Sequence, residues 1–138
     1  MTDEEKLILI ERALTARRWA YAPYSRYQVG AAVLASSGKF YDGCNVENAA
    51  YGSSICAERT ALVKAVSEGE RQFEAVVVAT DNGGAPCGAC RQMLAEFGLD
   101  LVVIMLAGQG DLIRETNLRE LLPDAFTPDK LPKASSPL

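Results

Sequence analysis

Two runs, Phe73 to Thr80 (FEAVVVAT) and Leu101 to Leu106 (LVVIML), are almost wholly apolar and show no alternation. Strand-length segments of this kind have no polar face to offer water, so the sheet that holds them must be covered on both sides. Between them, Cys87 to Phe97 reads as a helix ending at Gly98, which makes a strand–helix–strand unit and a parallel pair.

The flanking segments complete the layers. Residues 3–21 carry Leu7, Ile10, Leu14 and Tyr21 at near-helical spacing, with Thr2 and Glu5 as a capping box and Ala22-Pro23 as the stop. Val29 to Ala35 and Phe40 to Val46 form a hairpin about Ser36-Ser37-Gly38-Lys39. Ser53 or Ser54 caps a helix running to about Ser67, with Gly69 beyond it. Leu112 to Thr116 is a fifth strand, and Asn117 caps a short helix through Leu122. The expected fold is α/β, a three-layer α/β/α sandwich around a mixed five-stranded sheet. Residues 1–126 are expected to make a single domain, and the Pro/Ser/Lys-rich 127–138 a flexible C-terminal tail.

Charge narrows the classes of partner. The net charge is −4 and the dense basic cluster is Arg17-Arg18, at a helix end, which argues against gripping a polynucleotide backbone. No apolar run reaches the roughly 18 residues of a membrane span, and Met1-Thr2-Asp3-Glu4-Glu5 is acidic where a secretory leader is basic. The expected location is the cytoplasm, where thiols stay reduced.

Of the four cysteines, Cys87 and Cys90 stand at i and i+3 and share one helix face, and Cys56 lies in the first turn of the preceding helix. Two helix N-termini converging at one sheet edge would favour thiolates. Three thiolates with one open position is the donor set of a catalytic zinc site, because structural zinc takes four protein ligands. A redox pair, buried filler and a closed site using Cys44 are the alternatives. Pleat parity places Phe40, Cys44 and Val46 on one face and Asn45 and Glu47 on the other, which marks Cys44 as core filler. Glu58, two residues from Cys56, faces away from a shared ligand position but can reach a molecule beside the metal and move its proton. A glutamate near a helix N-terminus is also electrostatically at ease without any such role.

Six segments carry a family resemblance: YAPYS (Tyr21 to Ser25), VGAA (Val29 to Ala32), GCNVENAAYG (Gly43 to Gly52), CAERTAL (Cys56 to Leu62), PCGACRQ (Pro86 to Gln92) and ELLPDAF (Glu120 to Phe126). Together they resemble the small homotetrameric zinc-dependent cytidine deaminases, within the cytidine/deoxycytidylate deaminase superfamily. CAE with PCxxC marks the wider superfamily, and NVENAAY the enzymes of free nucleosides.

The resemblance implies one Zn2+ per subunit on Cys56, Cys87 and Cys90, with Glu58 as the catalytic proton shuttle. It implies that Asn45 and Glu47 hold the ribose and that Tyr27, where the family usually has Phe, walls the base. Ala49 and Tyr51 would reach a neighbouring subunit's ribose site and Phe126 its base, in a homotetramer. The implied reaction is hydrolysis of cytidine and 2′-deoxycytidine to uridine and 2′-deoxyuridine with release of ammonia, as pyrimidine salvage. A blasticidin S-type or modified-nucleoside deaminase is the enzymatic alternative, and a zinc-stabilised binding module the non-enzymatic one. Because three thiolates and Zn2+ sum to −1, Arg59 or Arg91 is expected to donate to sulfur, Arg59, beside Cys56, being the family-like choice.

Overall fold

The computed structural model describes residues 1–132; the remainder of the expected tail, 133–138, lies outside the described residues. Thr2 accepts from the Glu5 amide at 3.0 Å while Glu5 Oε1 accepts from the Thr2 amide at 2.8 Å, so the capping box starts α1 (Asp3–Arg17) as expected. The helix stops four residues before the expected end. Tyr21 is already extended there, its N–H donating to the Asn45 carbonyl (3.0 Å) and its own carbonyl accepting from the Glu47 amide (2.8 Å). These contacts with a distant segment, rather than Pro23, end the helix.

Strands β1 (Gly30–Ala35), β2 (Phe40–Cys44), β3 (Phe73–Thr80), β4 (Val102–Ala107) and β5 (Asp111–Asn117) form one sheet in the order β2-β1-β3-β4-β5. β3 and β4 are parallel, and the other neighbouring pairs are antiparallel. The mixed five-stranded sheet matches the expectation. Alternating side chains divide it cleanly. Ala32, Leu34, Val77 and Ile104 pack beneath α1, whereas Ala31, Val33, Val76, Val78 and Val103 pack against α2 (Ala57–Ser67) and α3 (Gly88–Ala95). The short α4 (Leu118–Leu121) starts at Asn117, whose side chain accepts from the Glu120 amide at 3.0 Å.

Close approach sets α2 on the hairpin. A Cβ at Gly43 would fall 2.7 Å from Thr60 Cβ and 2.8 Å from the Ala61 amide nitrogen, so only glycine lets the helix lie this near β2. Tyr41 and Gly43 therefore face α2. Phe40 packs with the α1 layer, and by parity Cys44 points to that same side. Cys44 is half-buried at the end of the strand rather than fully enclosed.

Candidate metal centre

The Cys56 backbone is extended (φ −76°, ψ 154°) and forms the N-cap of α2; Cys87 (φ −68°, ψ 169°) does the same for α3. Ser53 and Ser54 are better capping residues than cysteine. Tyr51–Ser53, however, is a separate 3-10 turn, and the cap of α2 falls two to three residues later than those serines predicted. Two helix N-termini thus meet, each carrying a thiol where first-turn N–H groups favour negative charge.

The three sulfurs of Cys56, Cys87 and Cys90 lie within 4.8 Å of one another. Cys56 Sγ is 3.7 Å from Cys87 Sγ, which is 3.4 Å from Cys90 Sγ. A tetrahedral zinc with Zn–S bonds of about 2.3 Å needs S···S edges of about 3.8 Å. The donor set fits. Cys44, on the opposite side of the sheet, is not part of the cluster.

The cluster is electrostatically asymmetric. The Cys56 thiol is drawn down to about 5, chiefly by hydrogen bonding with Cys90 and, against the opposing effect of burial, by the Arg59 guanidinium. Cys90, on the donating side of that pairing and buried, is pushed up. Arg59 Nη2 donates to Cys56 Sγ at 3.5 Å, and its buried Nε has no acceptor among the described residues. Arg91 is engaged elsewhere, with Nε donating to the Pro86 carbonyl (2.7 Å) and Nη1 to the Leu121 carbonyl (2.8 Å). Of the two arginines, Arg59 reaches sulfur, and Arg91 fastens the start of α3 to the end of α4.

Glu58, only 4% exposed, borders the same cavity of about 460 Å³ that Cys56 and Cys87 line. Burial pushes its carboxyl up from the ordinary range, reinforced by the charge on Cys56. A buried carboxyl whose affinity for a proton is raised is fitted to take one up and return it.

Asn45, Glu47, Tyr27 and Tyr51 line the same cavity. Asn45 spans the backbone beside it: Oδ1 accepts from the Val29 amide (2.9 Å) and Nδ2 donates to the Tyr27 carbonyl (2.8 Å). Glu47 Oε1 accepts from the amides of Tyr24 (2.9 Å) and Ser25 (3.1 Å), and Oε2 accepts from the Ser25 hydroxyl. That hydroxyl, followed by the two amides, holds the Glu47 carboxyl below the usual range against burial. Ala49 and Phe126 are exposed and do not line the cavity.

The sequence marks 81–86 as a loop but does not assign it, or Thr80 before it, to the site. Thr80 is 2% exposed, and its Oγ1 accepts from the amides of Gly83 (2.7 Å) and Gly84 (2.9 Å). A threonine closing a strand before Asp-Asn-Gly-Gly is the available signal, since a hydroxyl there can organise the following turn.

The family model described as "Cytidine and deoxycytidylate deaminase zinc-binding region" matches residues 2–106. The chain is 48% identical over 135 residues to a cytidine deaminase of Sporosarcina psychrophila, covering 96% of this chain and 98% of that protein. It is 49% identical over 130 residues to one from Halalkalibacterium halodurans, covering 92% and 98%. Among solved structures, the cytidine deaminase of Burkholderia pseudomallei superposes with a TM-score of 0.83 at 50% identity, covering 91% of this chain and all (100%) of the other.

Proposed function

The chain belongs to the cytidine and deoxycytidylate deaminase family, and on that premise we propose that it hydrolyses cytidine and 2′-deoxycytidine to uridine and 2′-deoxyuridine, releasing ammonia, in pyrimidine salvage. The observation that carries this reading is a three-sulfur donor set sharing one cavity with a buried carboxyl, Glu58. Cys56, Cys87 and Cys90 would hold Zn2+, which supplies a water acidified to near neutrality as the nucleophile.

The remaining work falls to the chain. Glu58 accepts the proton of the attacking water and delivers it to N3 of the cytosine, which makes C4 electrophilic. It then passes a proton from the new hydroxyl to the amino group, and ammonia leaves. One carboxyl is base and acid in turn, so a chain without histidine is equipped for the task. Tyr27 supplies an apolar wall for the ring, and Asn45 and Glu47 hold the ribose hydroxyl.

Charge in the cavity favours a nucleoside over a nucleotide. Arg59 is the one cation among the described lining residues and is engaged with Cys56, whereas Glu47 presents a carboxylate. A phosphate there would meet negative charge with nothing to offset it. The enzyme acts in the cytoplasm as a homotetramer, with Ala49 and Phe126, exposed and outside the cavity, directed to neighbouring sites, and Tyr51, exposed where it borders its own cavity, within reach of a neighbour as well. Light scattering tests that assembly, and a monomeric mass at full activity would exclude it.

Ammonia release from cytidine, followed alongside metal analysis, tests the function. The expected result is one zinc per chain and stoichiometric uridine. Zinc-loaded protein that releases no ammonia from cytidine or deoxycytidine overturns the reading. Turnover of a modified nucleoside alone would assign the scaffold to that substrate instead.

A further inference from the structure

The loop from Asp81 to Pro86 joins β3 to the Cys87 cap, and its two glycines leave it little stiffness of its own. It is nevertheless held at several points. The Thr80 hydroxyl accepts from the Gly83 and Gly84 amides, and Arg91 holds the Pro86 carbonyl at the far end. On the cavity side, Tyr27 Oη donates to Asn82 Oδ1 at 2.7 Å.

From this geometry we infer that Asn82 is a positioning residue. By accepting the Tyr27 hydroxyl it clamps the 81–86 loop to the 25–29 segment and sets the width of the slot for the pyrimidine ring. The inference rests on the nucleoside reading above. Tyr27, Gly84 and Ala85 all line the cavity, so the spacing of ring and loop is the spacing of two of its walls. The fit is close: a Cβ at Gly84 would fall 2.6 Å from Tyr27 Oη. Gly83 has φ +80°, and a Cβ there would fall 2.4 Å from Ile113 Cγ1, so the loop is confined from the β5 side as well. Tyr27 is anchored in turn, since its carbonyl accepts from Asn45 Nδ2. Asn45, Tyr27 and Asn82 thus form one connected path from the ribose wall to the loop that leads into Cys87.

Asn82 is exposed, so the clamp adds little to global stability; its effect is on loop position. Asn82→Ala and Tyr27→Phe are each expected to raise KM for cytidine about three- to tenfold, with kcat within about twofold of wild type. Zinc content and the unfolding midpoint stay unchanged. The double variant is no worse than the poorer single one, because both remove the same bond. Amide hydrogen exchange at Gly83 and Gly84 speeds up in both single variants, while Asn82→Asp, which keeps the acceptor oxygen, restores wild-type KM and exchange. Independent KM effects in the double variant, or wild-type exchange in either single one, overturn the clamp. A wild-type enzyme inactive on cytidine would sink the functional reading, leaving the exchange comparison to decide the clamp by itself.

Discussion

Arg59 Nη2 lies 3.5 Å from Cys56 Sγ and 3.4 Å from the Ser54 carbonyl oxygen, so one guanidinium ties a candidate ligand to the segment that delivers it. Three thiolates around Zn2+ leave a net charge of about −1, and a richly negative shell weakens the metal as a Lewis acid. A donor to sulfur opposes both effects. Arg59→Gln is expected to lower zinc retention or turnover about ten- to a hundredfold. Chelator competition and kcat measure the two arms; wild-type values in both would remove Arg59 from the site.

Glu58→Gln keeps the shape of a residue 4% exposed and takes away its proton chemistry. The variant is expected to fold, carry zinc and lose at least about a hundredfold in kcat. A raised KM at unaltered turnover would contradict the shuttle role.

Asn45→Ala removes two backbone contacts, at Val29 and Tyr27, as well as the proposed ribose contact. Urea denaturation should register a loss of about 1–3 kcal/mol. KM for cytidine should rise much more than KM for free cytosine, and equal losses for both would exclude a sugar-binding role.

Cys44→Ser tests the separation of the fourth cysteine from the other three. Its half-buried position on the α1 side of the sheet predicts unchanged zinc content. Metal loss in that variant would bring back the closed four-cysteine site.

Tyr41, 6% exposed, donates to Glu70 Oε2 at 2.7 Å, and Ser37 donates to the same oxygen at 2.7 Å. The bond to Glu70, followed by burial, raises the Tyr41 hydroxyl from 10.0 to about 12. Unfolded chains surrender this proton near 10.0 and the native one near 12, so the stabilisation is complete below the lower value and fades as pH climbs between them. Tyr41→Phe is expected to flatten that part of the stability–pH curve. Parallel curves for variant and wild type would deny the linkage.

The layers were legible because burial on both faces leaves a direct trace: β4 is apolar throughout and β3 is apolar without a break from Ala75 to Ala79, and their strand assignment needed nothing else. Local chemistry was a sound guide at Thr2 and Asn117 but misled at the start of α2. Ser53 and Ser54 are good caps by composition, yet the chain spends them on a separate turn and begins α2 at a thiol. The end of α1 was hidden for a similar reason, since Tyr21 is claimed by residues 45–47. Asn45 and Glu47 do line one cavity, but β2 ends at Cys44 and Val46 makes only isolated bridges to Tyr21 and Ile55, so strand alternation is not what brings them there. Tyr27 and Asn82 stand 55 positions apart, and no local pattern reports a bond between them.

The sulfurs belong to two helices whose caps are 31 positions apart, with all of β3 in the intervening chain. A cation gripped by them is therefore a suture as well as a reagent, closing a long loop that an unfolded polypeptide would leave open. Affinity for the ion and resistance to unravelling become one quantity measured from two sides, so every substitution that loosens either helix start is felt at the ion too.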